Sequence, residues 1–243
     1  MEDKKRKLEI KIRKSIIITG IWLAIVAVFI ILVCKVDVSA IGPENTEVGL
    51  SSINEAFFEL TGFNQAWYDI SEILGGIAFL LAGLNSLMAL GQMINRKGVF
   101  KADSDLYALG VFYVLVLIVY VLFDVAAINF RPTIIDPAEG LEPSFPSSHT
   151  MLAICVFYTS AMQVASRCKE IQLRNTILAV LGVLLILTVV SRMLSGVHWF
   201  TDIIGGILIS AFLISIHYLQ LLEIDKVELN DPSKIVRPRV RQK

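Results

Sequence analysis

The chain has 243 residues, 55% of them hydrophobic, and its 22 basic and 22 acidic residues cancel formally while crowding into a few short stretches. That distribution excludes an ordinary soluble domain, and the balanced charge gives no reason to expect a nucleic-acid partner. A bilayer core about 30 Å thick takes roughly 20 mostly apolar residues per helix, and six such runs can be drawn.

In chain order, the basic segment 1–14 reads as a cytoplasmic tail. The first span covers about Ser15 to Cys34; it is long and lacks a convincing small-residue cleavage site, so it reads as a retained anchor rather than a signal peptide. The connection Lys35 to Asp69 is the longest. Within it Ser52, Ile53, Asn54 and Glu55 have the Ser-x-x-Glu spacing of a capping box, and Phe57, Phe58 and Leu60 follow. This predicts a short helix, either interfacial or packed as a lid over the bundle. Trp67 and Tyr68, with Trp199 further on, suit an aromatic belt at the outer interface. The second and third spans run from about Ile70 to Met93 and Leu106 to Ile128. The fourth, fifth and sixth run from about His149 to Ala165, Ile177 to Ser191 and Trp199 to Leu222. Gly75, Gly76, Gly83, Gly205 and Gly206 lie inside these helices, where close packing explains them. Residues 223–243 read as a second cytoplasmic tail. The predicted fold class is therefore all-α, a polytopic membrane protein with six transmembrane helices in one domain, 15–222.

Lysine and arginine collect on the cytoplasmic side of membrane helices. The N-terminal segment, the loop with Arg96, Lys97 and Lys101, the loop with Arg167, Lys169 and Arg174, and the C-terminal segment all fall on one side of a six-helix chain. Both termini are thus expected to be cytoplasmic. Lys35, Arg131 and Arg192 are left for the other side, and charges that break the rule at membrane depth are functional candidates. Cys34, Cys155 and Cys168 imply no disulfide framework.

Two of the three histidines lie near these arginines. His149 opens the fourth span inside Pro146-Ser147-Ser148-His149, and His198 opens the sixth, with Asp202 four residues on. One helical turn puts Asp202 on the face of His198, where a carboxylate can accept one ring N–H and leave the other nitrogen free as nucleophile or base. A helix N-terminus at Ser147, Ser148 and His149 presents unpaired backbone N–H groups to an anion. Two arginines, whose planar forks bind phosphate oxygens in pairs, make that anion a phosphate. The lone His217 reads as a structural hydrogen bonder.

These runs resemble the type 2 phosphatidic acid phosphatase family. They are Arg131-Pro132, then Pro146-Ser147-Ser148-His149, then Ser191-Arg192 with five residues to His198 and three more to Asp202. The third run matches fully. The second has Ser148 where the family usually has glycine, a substitution that costs on the order of 1 kcal/mol if the position needs positive φ. In the first, the family lysine, seven residues before the arginine, is replaced by Asp124. The resemblance implies that His198 attacks phosphorus to form a phosphohistidine, Asp202 orients it, and His149 protonates the leaving oxygen. Arg131, Ser147, Ser148 and Arg192 hold the phosphate, with no metal and no cofactor. The expected activity is hydrolysis of a lipid monophosphate or diphosphate at the extracytoplasmic face of the cell membrane. The compact chain leans bacterial, which ranks undecaprenyl diphosphate and phosphatidylglycerol phosphate above phosphatidic acid as the lipid-phosphate partner.

Other readings fit less of the pattern. A serine hydrolase lacks a Gly-x-Ser-x-Gly elbow and leaves both arginines idle. A two-histidine metal site is opposed by the flanking arginines. A transporter would carry its charges at midplane in broken helices. A lipid phosphotransferase with the same phosphohistidine, or a non-catalytic lipid-phosphate binder lacking the motif lysine, stays compatible with the sequence.

Overall fold

The computed structural model describes residues 1–231. Seven α-helices follow one another: α1 (Glu2–Lys35), α2 (Ser51–Thr61), α3 (Gln65–Asn95), α4 (Ser104–Ala126), α5 (Ser148–Arg167), α6 (Ile171–Leu194) and α7 (Phe200–Asn230). Among the described residues β-pairing is limited to two isolated bridges, Ser39 with Val48 and Phe130 with Pro143. The chain is all-α.

Five helices, α1, α3, α4, α6 and α7, are long and apolar enough to cross a membrane. The expected fourth span, α5, has 20 residues but is not among them. The reason lies in where it sits. It packs against α3, α4, α6 and α7, and Thr150, Thr159, Ser160 and Gln163 are all buried inside that ring. Polar side chains are tolerated there because helices supply their partners. Asn85 of α3 donates to Ser160 at 2.9 Å and to the Tyr113 hydroxyl at 3.0 Å, and that hydroxyl lies 3.1 Å from Thr159 Oγ1. Two apolar clusters flank the polar seam. One joins Val26, Leu109, Phe112, Val116, Met151, Ile209 and Leu213; the other joins Ala78, Ala153, Val156, Phe157 and Leu181. Large apolar residues on the outside, such as Val111, Val114, Ile118 and Val121 of α4, stay exposed.

Helix ends differ from the hydropathy reading at both termini. The basic segment expected as a tail forms the first turns of α1, which starts at Glu2, and α7 continues beyond Leu222 to Asn230. Apolar runs mark what lies in hydrocarbon, whereas backbone hydrogen bonds carry a helix past it. The rest of the expected C-terminal tail, 232–243, lies outside the described residues.

The capping box expected at Ser52 to Glu55 is not formed. Leu50 occupies the N-cap in a left-handed conformation and Ser52 lies inside α2. The cap comes from a distance: Asp37, just past α1, accepts from the Ser52 N–H at 2.8 Å and the Ser51 hydroxyl at 3.0 Å. These donors hold the Asp37 carboxyl below its ordinary range, the Ser52 N–H contributing most. α2 then packs on the start of α7. Asn54 donates to Thr201 Oγ1 at 2.9 Å and accepts from the Thr201 N–H at 3.0 Å, while Phe57 meets Phe200 and Phe58 meets Trp199.

The two ends of the bundle are chemically distinct. At one, Arg167 of α5 bonds Asp105 at 2.9 and 3.1 Å and approaches Asp103 at 3.3 Å, and Arg96 bonds Asp103 at 2.9 Å. At the other, turns press closely together. Gly196 has φ +68°, and a Cβ there would run into the Gly62 carbonyl oxygen. Close packing also explains Gly75, Gly205 and Gly206, whose added Cβ atoms would meet His149, Phe145 and Ser147. It does not explain Gly76 and Gly83, which face open space.

Candidate functional site

The second end gathers the C-termini of α4 and α6, the N-termini of α3, α5 and α7, and the loop from Ala127 to Ser147. His198 stands before α7 rather than inside it. Trp199 is the N-cap, and Asp202, at the third helical position, accepts from the Trp199 N–H at 3.0 Å. Its other oxygen accepts from Asn129 Nδ2 at 3.0 Å. With both oxygens engaged, Asp202 Oδ2 lies 3.7 Å from His198 Nδ1, longer than a hydrogen bond. The structure thus places the carboxylate beside the ring without the direct bond that the four-residue spacing suggests. Trp199 is buried and donates to the Phe130 carbonyl at 2.7 Å. It belongs to the site's wall, not to an interfacial belt.

Ser147 is the N-cap of α5. Its hydroxyl oxygen accepts from the Thr150 N–H at 3.4 Å and its own N–H donates to the Asp202 carbonyl at 3.0 Å. It is fully buried, so its hydroxyl proton is the one donor not already committed. Ser148 begins the helix and is absent from the positive-φ residues, so serine carries no left-handed penalty there. His149 follows, with Nε2 3.3 Å from Glu72 Oε2.

Arg192, in the last turn of α6, is 0% exposed. Its Nη1 donates to Ser71 Oγ at 3.0 Å and to Glu72 Oε1 at 2.8 Å, and the guanidinium lies over the Tyr68 ring at 5.7 Å. Arg131 pairs with Glu142 at 3.0 Å across the loop. A cavity of about 210 Å³ is lined by Asp124, Arg131, Glu142, Ser144, Ser148 and His198, among others. Asp124, at the family lysine position, is exposed at its rim. Among the described residues, several buried nitrogens at this end of the bundle have no hydrogen-bond partner: Arg192 Nε and Nη2, Arg131 Nε, His149 Nδ1 and both ring nitrogens of His198, of which those of Arg131 and His198 belong to residues lining the cavity. Buried donors are ordinarily satisfied, so such a cluster marks a place built to meet an anion.

A family model described as the PAP2 superfamily matches residues 105–225. The chain belongs to the PAP2 superfamily. No curated protein is similar enough to count as a relative. Among solved structures, a crystal structure of a transmembrane PAP2-type phosphatidylglycerolphosphate phosphatase from Bacillus subtilis shares the fold. It has a TM-score of 0.55 and 20% sequence identity, covering 87% of this chain and 97% of that one. With five long apolar helices and this PAP2 fold, the chain is a multi-pass membrane protein.

Burial pushes the His198 ring of this PAP2 chain well below the ordinary histidine range, and the charges of Arg192, Arg131 and His149 add to the effect. The folded protein therefore keeps the ring neutral while the unfolded chain takes up a proton below about pH 6.5. The sign follows: this ring's contribution costs stability as pH falls, by up to about 1.4 kcal/mol per pH unit. Thermal denaturation in detergent between pH 7.5 and 5 is expected to show a decline in the wild type that is shallower in His198→Gln.

Four residues around the site went unread in the sequence: Ser71, Glu72, Asn129 and Glu142. For Glu72 a signal existed. It is the one charged residue between Ile70 and Asn95, and the rule that singled out Arg131 and Arg192 applies equally to acids.

Proposed function

We propose that this PAP2 protein is a lipid phosphate phosphatase that works through a phosphohistidine. The observation that carries the reading is the set of buried, unpartnered nitrogens on Arg131, Arg192, His149 and His198 at one end of the bundle, where Arg131 and His198 line a small cavity. α5 serves as a sixth, internal span, α2 lies at the membrane interface, and the site faces the extracytoplasmic side, opposite the Arg96 and Arg167 end. That orientation rests on the basic residues collected at the latter end.

In this mechanism the lipid tail stays among the outer helix faces and the phosphate enters beside His198. The neutral ring attacks phosphorus through Nε2 as the bond to the leaving oxygen breaks, and His149 gives that oxygen its proton. Asp202 supports the positive charge that develops on the attacking ring. Arg192 presents its Nε and Nη2 edge to two phosphoryl oxygens, Arg131 adds another charge, and the α5 N-terminus supplies backbone N–H groups. In the second step neutral His149 takes a proton from water, the oxygen attacks phosphorus, and the P–N bond breaks to return His198. Fixed cationic donors supply the charge stabilisation, so the step needs no metal.

Phosphate release from a panel of lipid phosphates by purified protein tests this reading. Wild type is expected to release inorganic phosphate from lipid diphosphate or phosphatidylglycerol phosphate with no second lipid present and with chelator added. Transfer of the phosphoryl group only to an added second lipid would indicate a phosphotransferase instead. Asp124→Lys is expected to raise kcat/KM by up to about thirtyfold. A charge at an exposed rim is worth about 1 kcal/mol, and the substitution changes the charge by two units.

A further inference from the structure

The match to the PAP2 family model begins at residue 105, yet α3, well before it, packs directly against two of the site's side chains. Ser71, Glu72 and Gly75 lie within one turn and touch His149 and Arg192 together. A methyl group on Gly75 would stand 2.7 Å from His149 Cδ2 and 3.2 Å from Nε2, so the absence of a side chain is what lets the ring lie against α3. Glu72 divides its two oxygens, Oε1 at 2.8 Å from Arg192 Nη1 and Oε2 at 3.3 Å from His149 Nε2. Ser71, fully buried, accepts from Arg192 Nη1 through its Oγ at 3.0 Å and donates to the Tyr68 carbonyl at 2.7 Å.

The arrangement is asymmetric in a useful way. Only the Nη1 end of the guanidinium is held by α3, while Nε and Nη2, the edge that binds two oxygens of one phosphate, have no partner among the described residues. The imidazole is treated likewise: Nε2 faces Glu72, and Nδ1 is buried without a partner. A charged ring needs two acceptors for its two N–H groups, and here one is built in and the other is left for the reaction.

Resting on the phosphatase reading above, we propose that Glu72 is a positioning residue for the leaving-group acid. It fixes the His149 ring through Nε2 so that Nδ1 is the nitrogen that delivers the proton to the departing oxygen. Gly75 provides the seat. The site thereby holds two histidine–carboxylate pairs with divided labour, His198 with Asp202 for attack and His149 with Glu72 for departure.

A leaving-group comparison on the purified full-length protein tests this. An alkyl lipid phosphate such as phosphatidic acid needs a proton on its departing oxygen, whereas p-nitrophenyl phosphate leaves as a stable phenolate without one. Glu72→Gln is expected to lower kcat for the lipid phosphate about 100-fold, the lower range for loss of acid catalysis. The loss on p-nitrophenyl phosphate is expected to stay within about threefold. Glu72→Asp should recover part of the difference, and Glu72→Gln placed on His149→Ala should add nothing further. If Glu72→Gln does not fold, Gly75→Ala gives the same readout, because its methyl displaces the ring while leaving Arg192 its partners. Equal losses on both substrates would overturn the assignment. So would a faster Glu72→Gln enzyme, which would make Glu72 a competitor for Arg192. A wild type that releases phosphate from neither substrate removes the phosphatase reading itself, and this assignment with it.

Discussion

Replacing His198 with alanine is expected to reduce lipid-phosphate release by about 10⁴-fold or more, since nucleophile, acid and anion donors act as a unit and losing the first leaves little for the others to do. The substitution should leave the fold standing. The ring is 5% exposed, and the carboxylate beside it, Asp202, keeps its bonds to Trp199 and Asn129, so alanine removes a buried polar group without orphaning that charge. The decisive measurement is the covalent label. Protein quenched in alkali during turnover of ³²P-labelled lipid should carry phosphate that survives alkali and is lost in acid, as a phosphoramidate does. His198→Ala should carry none. Unchanged phosphate release in that variant would falsify the proposed chemistry at its centre.

The second large effect belongs to Arg192. Lysine at this position keeps the charge but replaces a planar fork with a single ammonium, which cannot donate to the Ser71 and Glu72 oxygens on one side and grip two phosphoryl oxygens on the other. Losing one preorganised donor pair of this kind is expected to lower kcat/KM by about 10²–10³-fold. Inhibition by inorganic phosphate should weaken in parallel, because the same edge holds the product. Alanine is the harsher change. It leaves Glu72 without its cation and should lower thermal stability as well as activity, so a fall in activity at unchanged melting temperature in Arg192→Lys is the cleaner result.

Much of this was legible in the sequence because a membrane chain makes polar residues conspicuous. Arg131, His149, Arg192, His198 and Asp202 stood out against apolar helices, and the structure draws them toward one end of the bundle. What escaped was of two kinds. Some residues act over distances no local pattern encodes. Asp37 caps a helix that starts fourteen residues later, and Asn129 bonds a carboxylate 73 positions away. Local spacing instead suggested a capping box at Ser52 and a direct bond between His198 and Asp202. Other residues were visible but read by too narrow a rule. Glu72 broke the hydropathy of its helix as plainly as the arginines broke theirs, and Gly75 passed for ordinary packing until the ring it seats was in view. α5 illustrates a third limit. Hydropathy measures exposure to lipid, and a helix enclosed by others is free of that demand.

The cavity beside His198 measures about 210 Å³, the share of liquid occupied by roughly seven water molecules. A phosphate and the first atoms of its ester fill such a space, so on the proposed function acyl or prenyl chains remain in the surrounding bilayer. Discrimination then falls on the few atoms next to phosphorus, and tails of different length or branching become nearly equivalent. Encounter is two-dimensional: the rate follows the mole fraction of substrate in the membrane plane, and diluting it with inert lipid slows the enzyme even when the amount per volume is unchanged.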